Sequence, residues 1–167
     1  MPLKLALWQT EGHLAEPSAN VAALAKAAHA AAAGGAQILL SPECWLQGYN
    51  VPDHCVDLAE ASNGPSATRI AGIAKENGIA IVYGYAERDP ASGAVYNSVQ
   101  AIGPDGAFFA NYRKTHLFSD FERGLYRPGD GFAPPFEFLG WKIGLLICYD
   151  VEFPETVRSI ALAGADL

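Results

Sequence analysis

The sequence predicts an α/β fold, a mixed sheet covered by helices on at least one face. Short apolar runs alternate along the chain with longer stretches of helical composition. Gly and Pro punctuate the boundaries between them. Three of the strand-like runs lead directly into a reactive polar residue: Glu43, Lys114 and Cys148. Strand ends are where α/β folds gather groups from distant parts of a chain.

Taken in order, Leu3 to Trp8 alternates well enough for an opening strand. Pro17-Ser18 offers a helix start, the run from Asn20 is rich in alanine, the best helix former, and Gly34-Gly35 is the stop. Gln37 to Leu40 reads as a short buried strand ending at Ser41-Pro42-Glu43, and Cys44 to about Asp57 as a loop. Gly64-Pro65-Ser66 opens a second helix that Gly78 closes. Ile79 to Tyr85 is a strand, Asp89 to Gly93 a turn, and Tyr96–Ile102 and Ala107–Tyr112 form a hairpin across Gly103-Pro104-Asp105-Gly106. Arg113 to Pro135 looks irregular. Phe136–Leu139 and Trp141–Ile147 are the last expected strands, and Pro154–Ala163 the last helix. Gly164-Ala165-Asp166-Leu167 points towards a further strand, so a single domain over 1–167, incomplete at its C-terminal end, is expected.

Composition narrows the class. Half of the 167 residues are hydrophobic and 17% are charged, which is globular rather than disordered. A net charge of −7 argues against nucleic acid or an anionic membrane as partner. No stretch approaches the ~18 apolar residues of a membrane span, and the N-terminus lacks a signal-peptide layout. Cys44, Cys55 and Cys148 are few, odd in number and widely spaced, which predicts reduced thiols in a cytoplasmic protein rather than a disulfide framework or a zinc site.

The three strand-end residues make chemical sense together. A thiol is nucleophilic as the thiolate, so Cys148 needs a base or a nearby cation. Glu43 supplies a base and Lys114 a cation that would stabilise charge developing on an acyl oxygen. Each also has a plain reading: Cys148 as a small buried hydrophobe, Glu43 as a surface or capping residue, Lys114 as a solvated charge. His116 offers a further alternative, the partner of Cys148 in a Cys–His dyad.

The segments LLSPECWLQGYN around Glu43, NYRKTHLF around Lys114 and GLLICYDVEFPE around Cys148 resemble the three signature blocks of the nitrilase superfamily, the carbon–nitrogen hydrolases. KLALWQTEG and FERGLYRPGD are similar to that family as well. The resemblance covers the whole chain and corresponds to the N-terminal two-thirds of such a domain. It implies a four-layer α-β-β-α sandwich that pairs sheet-to-sheet in homodimers, and a Glu–Lys–Cys triad acting without metal or cofactor. Cys148 would be the nucleophile that forms a thioester, Glu43 the general base and Lys114 the oxyanion stabiliser, with the backbone N–H of Tyr149 as a second donor. Glu122 would be a supporting carboxylate, and His116 structural. Family members that cleave nitriles typically follow the cysteine with Trp-Glu. The Tyr149-Asp150 found here looks more like the amidase branch, with a small carboxamide and water as substrates. N-carbamoyl amino acid hydrolysis or nitrile cleavage is the alternative reaction, and a truncated, non-catalytic interaction module the alternative of another kind. Trp45 and Tyr49 are candidate pocket residues. Cys44 reads as a packing residue, and nothing in the sequence assigns Cys55 a role.

Overall fold

A five-stranded sheet positions everything else in the computed structural model, which describes residues 2–167, the side chain of Asp53 excepted. Its strands follow chain order: β1 (Leu5–Leu7), β2 (Ile38–Leu40), β3 (Ala80–Arg88), β4 (Val95–Ile102) and β5 (Phe108–Arg113). β1, β2 and β3 pair in parallel, whereas β3, β4 and β5 are antiparallel, so the sheet is mixed as expected. The parallel pairs need crossovers, which α1 (Pro17–Ala33) and α3 (Pro65–Asn77) provide. The β4–β5 turn closes through Gly103 N–H to Ala107 O at 2.7 Å, with Gly106 at φ +82°, a conformation that favours glycine.

Alternation along the strands sorts side chains to two faces. On one face Ile79, Ile81, Tyr83 and Tyr85 pack under Leu24 of α1 and Ile70, Ile73 and Ala74 of α3. Burying each large aliphatic side chain here contributes about 1.5–3 kcal/mol relative to exposure. On the other face Ile38, Ala80, Val82, Val99, Ala101 and Tyr112 meet Phe138, Ile143, Leu145 and Ile147. Those residues belong to and follow a two-stranded hairpin, β6 (Phe136–Phe138) with β7 (Trp141–Ile143). Beyond it, Ile160 and Val157 of α5 (Pro154–Leu162) line a cleft with Gly144 and Leu146. Helices, sheet, hairpin and helix thus stack in the α-β-β-α order.

Three expectations are corrected. The Trp141–Ile147 run is a strand only to Ile143. Gly144 to Ile147 continue outside any ladder, because an apolar run reports burial and not strand pairing. The 44–57 loop contains a short helix, α2 (Pro52–Cys55). The irregular 113–135 stretch contains α4 (Ser119–Leu125), whose charged sequence lacks apolar periodicity. The chain's last residues bond beside β7, Asp166 N–H to Lys142 O at 2.7 Å and Gly144 N–H to Leu167 O at 2.8 Å. Among the described residues no helix is long and apolar enough to cross a membrane.

Candidate active site

Glu43 sits on the turn that leaves β2. Ser41 N–H bonds Val82 O at 3.0 Å and Leu46 N–H bonds Gly84 O at 3.1 Å, so the turn lies flat against β3. A Cβ at Gly84 would come within 2.6 Å of both Pro42 O and Cys44 N, and only glycine permits that approach. Cys44 is held at φ +48°, a strained conformation beside the carboxylate.

Lys114 continues β5 by one residue, its N–H bonding Asn97 O at 2.8 Å. Its side chain is fully buried, yet Nζ donates to Glu43 Oε1 at 2.7 Å and to Glu122 Oε1 at 2.8 Å. Burial pulls the ammonium towards neutrality, but hydrogen bonds to Glu122 and Glu43 outweigh it and hold Lys114 above the usual lysine range. Glu122, the buried residue of α4, is fixed at both oxygens. Tyr49 Oη donates to its Oε1 at 2.8 Å, and Phe118 N–H donates to Oε2 at 2.7 Å. Asn97 Nδ2 donates to Glu43 Oε1 at 2.7 Å. The Lys114 and Asn97 bonds both fall on Glu43 Oε1, and Glu43 itself lines a cavity.

Cys148 opens a 3₁₀ turn, Cys148–Glu152, at φ +46°. It is exposed, and with Glu43, Tyr49, Phe118, Tyr149 and Glu152 it lines a cavity of about 500 Å³. Burial against the site and the Glu43 carboxylate push the thiol above the usual cysteine range, while Lys114 pulls it partly back. A thiol held above its ordinary range favours the neutral S–H form, so it needs a base to release the thiolate. The backbone N–H of Tyr149 has no acceptor among the described residues.

A buried carboxylate ties these segments together. Asp150 Oδ2 accepts from Tyr112 Oη at 2.8 Å and from Ile147 N–H at 3.1 Å. Its Oδ1 accepts from Thr115 Oγ1 at 3.0 Å and His116 N–H at 2.9 Å, with His116 Nδ1 at 3.1 Å. The His116 ring also stacks on Phe153 at 4.1 Å between centroids. It is thus engaged with Asp150 and Phe153 and does not line the cavity that Cys148 lines.

Each of Glu43, Lys114, Cys148, Glu122 and Tyr149 therefore converges on one place. Asn97 and Asp150 were not singled out in the sequence. Asn97 carried a signal, since Asn97, Ser98 and Gln100 interrupt an otherwise apolar strand. Cys44 and Cys55 lie apart from the cavity, both buried around Tyr126 Oη at 3.5 and 2.9 Å. Trp45 belongs to the helix-side core. Among the described residues no group of three or more His, Cys, Asp or Glu side chains converges as a metal site would.

The model of the carbon–nitrogen hydrolase family matches residues 4–167. The chain belongs to that family. This carbon–nitrogen hydrolase chain is 46% identical over 166 residues to the "Hydrolase in pqqF 5′region" of Pseudomonas protegens, covering 99% of this chain and 57% of that protein. It is 35% identical over 168 residues to a protein named "Nitrilase" from Pyrococcus abyssi, covering 99% and 63% respectively. Among solved structures, an amidase from Nesterenkonia sp. superposes with a TM-score of 0.88 at 32% identity, covering 98% of this chain and 62% of that one. The chain thus spans about three-fifths of the length of these relatives.

Proposed function

We propose that the protein of which this chain forms the nitrilase-like part hydrolyses the C–N bond of a small carboxamide, giving the acid and ammonia. The supporting observation is the cavity that joins an exposed thiol to a carboxylate, with a buried ammonium bonded to that carboxylate from behind. Glu43 takes the Cys148 proton as the sulfur attacks the carbonyl carbon. The oxyanion forms against Lys114 Nζ and the unpaired N–H of Tyr149. When the tetrahedral adduct collapses, Glu43 returns the proton to the departing nitrogen, ammonia leaves and a thioester remains. Glu43 then deprotonates water, whose oxygen attacks the thioester. The acid is released and the thiol regains its proton. Glu122, with Tyr49 and Phe118 N–H, fixes Lys114 and keeps it charged.

Support for amides over nitriles comes from Tyr149-Asp150 after the cysteine. It also comes from the Nesterenkonia amidase, which has been solved in complex with butyramide at 32% identity. We read the whole enzyme as a cytoplasmic homodimer acting on an amide and water, without nucleic acid or membrane partners. The test is a panel of carboxamides, nitriles and N-carbamoyl amino acids on the full-length protein, with ammonia release as readout. Carboxamides are expected to turn over fastest. Rapid nitrile hydrolysis with inert amides would overturn the assignment.

The base role has its own check. The Glu43 carboxylate raises the Cys148 pKa, so Glu43→Gln should lower it while Lys114 remains to favour the thiolate. The pH profile of iodoacetamide alkylation is expected to move to lower pH in E43Q as hydrolysis collapses. A profile that stays put, or moves upward, would remove Glu43 from contact with the thiol.

A further inference from the structure

A second cavity of about 500 Å³ adjoins the first, and the two share Tyr149. The shared ring meets Phe118 edge-on at 5.3 Å on the thiol side and Phe153 edge-on at 5.1 Å on the other. Among the described residues Tyr149 is the one that lines both.

The two cavities differ in charge. Glu43 and Glu152 line the first, which suits a neutral amide and disfavours an anion. The second is lined by Arg123, Arg127 and His116 and by no Asp or Glu. Asp150 lies behind it, fully buried, its oxygens occupied by Tyr112, Ile147, Thr115 and His116. Arg123 donates to Leu117 O at 3.2 Å, and its only carboxylate contact is a 3.4 Å approach to the fully exposed Asp120, which is worth little. Arg127 has no side-chain hydrogen bond or ion pair among the described residues. Two guanidiniums with free donors beside an apolar wall stand out in a chain of net charge −7, and their planar forks match a carboxylate.

We propose that Arg123 and Arg127 form a carboxylate-binding subsite next to the catalytic cavity. Resting on the amidase reading, this makes an amide bearing a distal acid group the favoured substrate class. A separate small carboxylate would be recognised by the same chemistry. The neutral amide end meets the thiol, and the acidic end is kept from Glu43 and Glu152 and drawn past Tyr149.

The test compares kcat/KM for pentanamide with that for the monoamide of glutaric acid, on the full-length protein and on its R127Q and R123Q/R127Q variants. R127Q removes no side-chain hydrogen bond or ion pair among the described residues, so it guards against loss of fold. The preference for the acidic amide is expected to fall about tenfold in R127Q and further in the double variant. In parallel, glutarate is titrated calorimetrically into C148A and into C148A carrying both Arg substitutions. A fall in preference identifies the substrate's own acid group as occupant. An unchanged preference with glutarate binding lost on Arg substitution identifies a separate carboxylate. If neither quantity responds, the subsite does not exist. If neither amide is turned over by the unsubstituted protein, the amidase reading fails and the glutarate titration still decides the subsite.

Discussion

Replacing Cys148 by Ala is expected to cut amide hydrolysis ~10⁴-fold or more while leaving stability within about 0.5 kcal/mol. The first number follows from the proposed chemistry. Without sulfur no thioester forms, and a thiol supplies the reaction path where Lys114 and the Tyr149 N–H only stabilise it. The second follows from the structure. Cys148 is exposed, makes no side-chain hydrogen bond that holds the fold, and an alanine at φ +46° is no more strained than the cysteine. Steady-state ammonia release and thermal unfolding, measured on the full-length protein, separate the two effects. Activity near that of the unsubstituted enzyme would remove Cys148 from the reaction.

Asp150→Ala should do the reverse, costing about 3 kcal/mol or more of stability together with activity. This carboxylate is fully buried and accepts from two hydroxyls and two backbone N–H groups. Alanine strands the backbone N–H groups of Ile147 and His116 and leaves the Tyr112 and Thr115 hydroxyls only each other and His116 Nδ1, and a stranded buried donor costs about 1–3 kcal/mol. It also unties Ile147, next to the nucleophile, from Thr115 and His116, next to Lys114. Asp150→Asn keeps an acceptor in the same shape and is expected to lose less. Urea denaturation ranks the three proteins. A D150A variant as stable as its parent would show that the donors find other partners.

What the sequence disclosed followed from local chemistry. Glu43 and Lys114 lie just beyond β2 and β5, a position legible from their neighbours in the chain, whereas Cys148 follows an apolar run whose strand pairing ends at Ile143. The mixed sheet was legible for the same reason, since alternation and turn residues act within a few positions. Glu122 was approachable only through resemblance, because its buried pairing with Lys114 depends on how α4 folds back, and α4 itself is too short and too charged to announce a helix. Asp150 looked like one of several acids after the cysteine. Its importance comes from Tyr112, 38 positions away in the chain, and no periodicity encodes that meeting. His116 offers two readings in the sequence, a dyad partner by its type and a structural residue by the resemblance, and its contact with Asp150 agrees with the second. The run Gly144 to Ile147 has the composition of a strand because burial and pairing usually coincide, and here they part.

The pair of thiols around Tyr126 turns the cysteine inventory into a gauge of the native state. Cys44 and Cys55 are each 1% exposed, and burial pushes both thiols up, so a reagent in solution meets neither. Cys148 is the accessible third. In the folded chain a thiol-reactive dye therefore reports on the cavity that Cys148 lines, and labelling of these three thiols that rises from one towards three reports that the fold has opened. Labelling and integrity can be read from the same count without altering a residue.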